Sequence, residues 1–367
     1  MRLLLRNSGV TFAQPSGEPH EFVAKEYPLS MPLPSSQSHQ PYRCLVTGGA
    51  GFIGSHVVEA LLARGATVHV LDNFDPFYSR PEKEGHLSAC RGNSSFSLIE
   101  GDIRDENLVR KLVRELQPSV IIHLAARAGV RPSLENPELY ADVNVRGTAV
   151  LLEAARQMNV RNFVFASSSS VYGNTDRMPL RESDRTDQQV SPYGATKKAG
   201  ELLCHTFHHV YGMNISCLRF FTVYGPRQRP DLAIRKFVQL ALHDQEIPVY
   251  GDGSSSRDYT HIRDIVGGVL GAVQWGFGES PRYEIFNLGS SHPVRLRELL
   301  QAIEDQVGRP LRRATLPLQP GDVFQTYADT TKAERDLGFR HDVTFRDGMR
   351  EFVQWMKMRE SNVAVPK

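Results

Sequence analysis

A glycine-rich turn set between an apolar strand and a helix is the strongest constraint on this chain. Arg43-Cys-Leu-Val-Thr reads as a short strand, and Ile53 to Arg64 as a helix. Between them, Thr47-Gly48-Gly49-Ala50-Gly51-Phe52-Ile53-Gly54 spaces its glycines as G-x-x-G-x-x-G. Glycine admits positive φ and lets backbone N–H groups approach a pyrophosphate at a helix N-terminus. The last glycine lets the helix pack closely on the strand. A second strand, Ala66 to Asp72, ends on an acid 24 residues after Gly48. A carboxylate there bonds ribose hydroxyls and repels a 2′-phosphate, which predicts NAD rather than NADP. The alternative for the glycines alone is a structural turn without a ligand. The strand–turn–helix context and the acid together favour the dinucleotide site, with Phe52, Ile53 and Asn73 counted among its residues.

The rhythm continues. Phe96 to Glu100 is a third strand, Leu108 to Leu116 a helix, and Ser119 to Leu124 a fourth strand. Val145 to Gln157 is a helix, Asn162 to Ser167 a strand, Ala195 to Tyr211 a helix and Ile215 to Phe220 a strand. Continuous apolar strands alternating with helices mean a parallel sheet covered on both faces. The expected fold is α/β: a Rossmann-type doubly wound parallel sheet with a smaller C-terminal α/β lobe. After Phe221 the rhythm breaks in Tyr224-Gly-Pro-Arg-Gln-Arg-Pro-Asp. We therefore expect a dinucleotide domain over 41–222 that also includes about 262–288, and a substrate lobe over 223–261 and 289–360. Such a lobe closes over the carboxyl edge of the sheet, where doubly wound folds bind ligands. Residues 1–40 carry Pro, Ser, Gly and Gln without periodicity and read as a mobile leader or a product of start-site choice, a short regulatory segment being the alternative.

Two further strand ends bear on the cofactor. Leu124-Ala125-Ala126 offers small residues along which a cofactor can lie. Asp102 and Ile103 follow the third strand and would border the adenine, though a plain loop carboxylate fits the spacing nearly as well.

The chemistry is carried by Ser191-Pro-Tyr193-Gly-Ala-Thr-Lys197, with Tyr193 and Lys197 at i and i+4 on one helix face. A phenol ionises near 10, too high for a base at neutral pH. A nearby ammonium and a positive nicotinamide would stabilise the phenolate, and reaching about 7 takes roughly 4 kcal/mol. Tyr193 could then take a proton from a substrate hydroxyl as hydride leaves the same carbon. The serines Ser167 to Ser170 close the preceding strand, where a hydroxyl can bond the reacting oxygen. Tyr-x-x-x-Lys alone is common by chance on a helix surface; the glycine turn and the serine run set this one apart.

Composition closes off other classes. Lys and Arg number 43 against 41 Asp and Glu, a net charge of +2, so electrostatic binding to nucleic acid or an anionic membrane is not expected. At 40% hydrophobic and 23% charged residues the chain is an ordinary globular one. No apolar run approaches the roughly 18 residues of a membrane span, and the start lacks a signal-peptide core. The four cysteines form no C-x-x-C pair and read as reduced thiols, so the expected setting is the cytoplasm. His205, His208 and His209 lack an accompanying ligand cluster, and no metal site is expected.

Together these residues resemble the extended short-chain dehydrogenase/reductase family, and within it the nucleotide-sugar epimerases, over roughly residues 43–357. The stretches that carry the likeness to UDP-glucuronate 4-epimerases are Asp72–Tyr78, His123–Ser133, Ser167–Gly173, Ser191–Glu201, Leu218–Asp231, Gly251–Thr260 and Gln319–Asp322. The resemblance implies Tyr193 as base with Lys197 its partner, and Ser168 bonding the sugar C4 oxygen with Ser169 and Ser170 beside the sugar. It implies Gly48, Gly51, Gly54, Asp72, Asp102 and Lys197 as NAD contacts. It also implies Arg257 on the diphosphate, Asp322 near the uridine ribose, and Thr222 and Arg229 in the sugar pocket. The implied reaction is transient oxidation at C4 of a UDP-sugar by a retained NAD, rotation of the 4-keto sugar, and return of hydride to its other face. A 4-keto uronate can lose its carboxylate as carbon dioxide, and Arg229 and Thr222 are the candidates for holding it out of alignment. A homodimer through the helices around Val145–Gln157 and Ala195–Tyr211 is implied too, although burial against the sheet explains their apolar residues equally well. The nearest alternative is a UDP-glucose 4-epimerase; a non-catalytic NAD-binding scaffold is the alternative from another class. A 4,6-dehydratase would carry an Asp-Glu pair where this chain has Ser169-Ser170, and a uronate decarboxylase a glutamate near that strand end. Plant-type relatives carry a membrane span that this chain lacks. Gly194 stands where relatives often carry alanine, a change expected to leave the chemistry intact.

Overall fold

The computed structural model describes residues 42–278, 280–317 and 325–363 of the chain. The leader over 1–40 and Asp322 lie outside the described residues. In chain order the first half runs β1 (Arg43–Thr47), α1 (Phe52–Leu62), β2 (Thr67–Asp72), α2 (Arg80–His86), β3 (Phe96–Glu100), α3 (Glu106–Leu116) and β4 (Val120–His123). It continues through α4 (Val130–Glu135), α5 (Pro137–Ala141), a π-helical turn over Asp142–Arg146, α6 (Gly147–Gln157), β5 (Asn162–Ser168), α7 (Pro192–Tyr211) and β6 (Asn214–Phe220). Then follow β7 (Thr222–Tyr224), α8 (Ala233–Leu242), β8 (Ile247–Tyr250), β9 (Ser256–His261), α9 (Ile262–Trp275), β10 (Tyr283–Leu288) and β11 (Pro293–Arg295). The chain ends with α10 (Leu296–Val307), β12 (Arg313–Leu316), β13 (Gln325–Thr326), α11 (Thr331–Leu337) and α12 (Phe345–Val363).

Seven parallel strands form the main sheet in the order β3-β2-β1-β4-β5-β6-β10. The strand order reverses between β1 and β4, which opens a crevice above their carboxyl ends. Both faces of the sheet are covered. Val46, Val68, Ile122 and Leu218 pack on one side with α1 and α9, and Leu45, Ile121, Phe163 and Ile215 on the other with α3, α6 and α7. That two-sided burial is why these strands read as unbroken apolar runs. The later strands build two small sheets, one centred on β9 with β7, β11 and β13, the other pairing β8 with β12. They share a separate core with α8, α10 and α12 through Phe237, Leu299, Ile303, Phe352 and Met356.

Helix α7, which carries Tyr193, begins on its proline, three residues earlier than the apolar pattern suggests. Ser191 caps it by accepting from the Gly194 amide at 3.1 Å, and Pro192 needs no N–H partner in the first turn. The short helices α2, α4 and α5 escape a periodicity reading because each has only five to seven residues and a proline in its first turns. All four cysteines are buried and free. Among the described residues no helix is long and apolar enough to cross a membrane.

Candidate active site

A cavity of about 460 Å³ opens at the crevice between β1 and β4. Its floor is the glycine turn. Gly48 has φ +71°, and a Cβ there would lie 2.7 Å from the Ala125 nitrogen. At Gly54 a Cβ would meet the Gly48 carbonyl at 2.2 Å, so helix and turn touch only because both are glycine. No side chain caps α1 at Gly51, and Gly51, Phe52, Ile53 and Gly54 all line the cavity. Uncapped first-turn amides with the positive end of a helix dipole suit a diphosphate. Leu124, Ala125 and Ala126 form the adjoining wall, tied down by the Ala125 amide donating to Thr47 Oγ1 at 3.3 Å.

Asp72 sits at the end of β2 with its carboxylate toward the turn. It accepts from the Ala50 amide at 3.0 Å and the Phe74 amide at 2.9 Å. Burial pushes its carboxyl up, and those amides and Lys83 pull it back toward the ionised form. Asp102 lines the cavity too, but its oxygens are already engaged. Arg104 bonds it at 2.8 Å and Asn73 Nδ2 at 3.0 Å, and with Arg104 leading, its carboxyl falls to about 2. Ile103 packs where a side chain on Gly147 would collide, 2.5 Å from its Cδ1.

At the other end of the cavity Ser168 closes β5, and Ser169 and Ser170 form a 3-10 turn along the wall. Tyr193 lines the cavity with Ser168, whose Oγ donates to Ser170 Oγ at 3.2 Å and accepts from the Ser170 amide at 3.1 Å. Burial holds the Tyr193 proton more tightly than in water, and Ser168 and then the Arg229 guanidinium act against that. Lys197 is 4% exposed, and its ammonium donates to the Ala166 carbonyl at 2.6 Å. Burial lowers its pKa to about 8. The Arg229 guanidinium thus joins Lys197, one helical turn from Tyr193, among the cations near the phenol. Gly194 matters more than the sequence suggests: a Cβ there would lie 2.6 Å from the Ser170 carbonyl, so glycine sets how closely α7 approaches the serine turn.

Behind these groups lies a buried ion pair. Glu201, one turn beyond Lys197 on α7, accepts from Arg219 of β6 at 2.8 and 2.9 Å and from Ser167 Oγ at 2.7 Å. It therefore pins α7 to two strands directly beside Ser168.

The segment after β2 supplies residues that no spacing argument singled out. Asp75, Phe77 and Tyr78 line the cavity together with Lys83 of α2 and Arg127 after β4. Arg127 forms an ion pair with Asp75. Arg229 is paired through Nε and NH2 with Asp231 at 2.9 and 2.8 Å. Thr222 and Arg229 face the cavity, as the sequence reading has them. Arg257 does not line it. That residue lies on β9, opposite Val294 and Thr326, and its NH1 donates to the Ser256 carbonyl at 2.9 Å. Among the described residues no group of three or more His, Cys, Asp or Glu side chains is arranged to hold a metal.

Comparison with known proteins follows the same outline. The family model described as GDP-mannose 4,6 dehydratase matches residues 45–352. A UDP-glucuronate 4-epimerase of Thermodesulfobacterium geofontis is 38% identical over 314 residues, spanning 85% of this chain and 95% of that protein. The crystal structure of UDP-glucuronic acid 4-epimerase from Bacillus cereus, in complex with UDP-glucuronic acid and NAD, superposes with a TM-score of 0.81 at 34% identity, covering 86% of this chain and 99% of that one. UDP-glucose 4-epimerase with UDP-glucose from Thermotoga maritima gives 0.79 at 30% identity, covering 87% and 99%.

Proposed function

The chain belongs to the GDP-mannose 4,6-dehydratase family, and from that premise we propose that it is an NAD-dependent epimerase that inverts C4 of UDP-glucuronate to give UDP-galacturonate. The observation that carries this reading is that Tyr193, Lys197 and Ser168 line one cavity at the carboxyl end of β5 together with Arg229. A dehydratase would carry acids where Ser169 and Ser170 stand.

NAD fits the cavity because the glycine cradle leaves room only for backbone, and when bound it supplies the hydride acceptor at the substrate carbon. Gly48, Gly51, Phe52, Ile53 and Gly54 would hold its diphosphate, and Asp72 and Asn73 its adenosine ribose. Asp102 and Ile103 would flank its base, and Leu124 to Ala126 would support its length. Tyr193 removes the C4 hydroxyl proton, and Ser168 keeps a hydrogen bond on the same oxygen throughout. Lys197 would contact NAD and serve as the partner of Tyr193, and Ser169 and Ser170 would orient the sugar. Thr222 and Arg229 hold the uronate carboxylate so that its carbon–carbon bond lies out of line with the transient C4 ketone. Arg257 and Asp322 would serve the diphosphate and uridine ends. Residues 41–222 and 262–288 form the dinucleotide domain in this reading, and 223–261 and 289–360 the nucleotide-sugar lobe.

We also propose a cytoplasmic homodimer. Leu202, Val210 and Tyr211 on α7 are each at least half exposed, a face suited to a second copy, and four unpaired cysteines fit a reducing compartment. Size-exclusion chromatography with light scattering tests the dimer; a monomer at micromolar concentration would overturn it.

The test of activity is proton NMR of UDP-glucuronate incubated with purified protein, first without and then with added NAD. UDP-galacturonate is the expected product. UDP-pentose with carbon dioxide would make the protein a decarboxylase. Turnover of UDP-glucose alone would move the assignment to the neutral sugar and remove the carboxylate role from Arg229.

A further inference from the structure

Two guanidinium groups meet the ring of Phe77, Arg127 at 5.1 Å from its centroid and Arg229 at 5.5 Å. They are held differently. Arg229 has Nε and NH2 both engaged by Asp231. Arg127 has only one carboxylate oxygen, Asp75 Oδ1, which also accepts from the Phe77 amide at 3.0 Å. The Nε of Arg127 is buried without a hydrogen-bond partner among the described residues. Its backbone is nevertheless fixed at both ends. The Arg127 amide donates to Asn144 Oδ1 at 2.8 Å, and its carbonyl accepts from Asn144 Nδ2 at 3.0 Å. A cation on a rigid mount thus faces the cavity with spare donor capacity, and its present partner sits on a loop.

We propose that Arg127 is an oxyanion-binding residue of this cavity, exchanging the Asp75 carboxylate for an oxyanion of a bound ligand. The proposal rests on reading the cavity as the NAD and UDP-sugar site. The planar guanidinium fork suits any anion that presents two oxygens, so the sugar carboxylate and the dinucleotide diphosphate are the two sources. In either case Asp75 acts as an internal competitor that fills the fork until ligand arrives.

Competition and mere fastening predict different signs. If Arg127 only anchors the loop, Arg127→Met and Asp75→Asn both free the loop and weaken every ligand together. If Arg127 binds ligand, Arg127→Met weakens binding and Asp75→Asn strengthens it. The test is calorimetry on full-length protein freed of nucleotide, with NAD as titrant, and then on the NAD-loaded protein with UDP-glucuronate and UDP-glucose. With the carboxylate as source, Arg127→Met weakens UDP-glucuronate about 10- to 100-fold and leaves NAD and UDP-glucose within twofold. With the diphosphate as source, NAD weakens by that factor and the ratio between the two sugars is unchanged. In both cases Asp75→Asn tightens the same ligand several-fold. Arg127→Gln, which keeps a polar side chain in place, guards against a folding defect and should follow Arg127→Met. Loss of less than twofold for all three ligands, or parallel weakening in both variants, overturns the proposal. A wild-type protein that binds neither NAD nor a UDP-sugar fails earlier, at the functional reading itself, and removes this proposal with it.

Discussion

Replacing Glu201 by glutamine isolates the ion pair behind the site. Glu201 and Arg219 side chains are each 1% exposed, so neither can turn to water when its partner loses charge. Burial pushes the Glu201 carboxyl up, yet Arg219, Ser167 and Lys198 overcome it and the group stays ionised, below its ordinary range. Glu201→Gln keeps the shape and strands the guanidinium. Breaking one side of a buried pair costs about 3–5 kcal/mol. A folded chain of this length has an unfolding entropy of roughly 0.7 kcal/mol per kelvin, so the melting temperature should fall by about 4–7 °C. Arg219→Met, which strands the carboxylate instead, should cost a similar amount. The double variant Glu201→Gln with Arg219→Met removes both charges at once. It should lose clearly less than the sum of the singles, with a coupling of about 2 kcal/mol or more. The assay is a double-mutant cycle by circular-dichroism melting and urea titration on cofactor-free protein. Additive losses would mean the two charges are stabilised independently by their surroundings, and the account of Glu201 as the pin between α7, β5 and β6 would be refuted.

Three other outcomes follow from the same geometry. Lys197 binds its proton less tightly folded, at about 8, than unfolded, near 10.5, so the unfolded state holds more protons between those values and stability rises with pH across that window. The relief is on the order of 3 kcal/mol, and Lys197→Met should lack it when melting curves of the two proteins are compared from pH 7 to 10; parallel curves would refute it. Asp72→Ala removes the acceptor for the Ala50 and Phe74 amides and should weaken NAD at least about tenfold while narrowing its advantage over NADP, measured by calorimetry with each dinucleotide. An unchanged NAD to NADP ratio would deny Asp72 its part in cofactor choice. Gly54→Ala drives a Cβ against the Gly48 carbonyl, so it should cost about 1–3 kcal/mol and leave the purified protein without NAD, as read by absorbance after denaturation; full retention of NAD would contradict the close-approach argument.

What the chain reveals in advance depends on whether the determining contacts are local. The strands β1 to β6 are legible because burial on both faces makes them continuous apolar runs, and Tyr193 and Lys197 share a side because the helix repeat requires it. Asp102 shows the limit of spacing. The sequence offers a cofactor neighbour or a loop carboxylate, and the structure gives a residue that lines the cavity while Arg104 and Asn73 already occupy its oxygens. The environment of Tyr193 shows it again. Helix spacing nominates Lys197 as the neighbouring cation, and the fold adds Arg229, which arrives from a distant loop. Arg127, Phe77 and Lys83 carry no assignment in the sequence for the same reason: Phe77 and Lys83 come from the stretch through α2 and Arg127 from the loop after β4, and only the crevice brings the two together. Gly194 reads as a neutral replacement because a sequence shows what residue is present and not the Ser170 carbonyl it must pass.

The route of the chain through β6, β7, β9 and β10 governs how the outer lobe is joined to the main sheet. One residue, Phe221, separates β6 of the main sheet from β7 of the small one, and β9 runs into α9 without a linker. A third crossing leaves β10 for β11 within a few residues. The outer lobe is stitched to the sheet edge at these three crossings, and Glu82 of α2 fastens it again through Arg235 of α8 and Arg359 of α12. Cutting the chain at one crossing would not release two halves, because β10, the last strand of the main sheet, is made only after the outer lobe has been threaded.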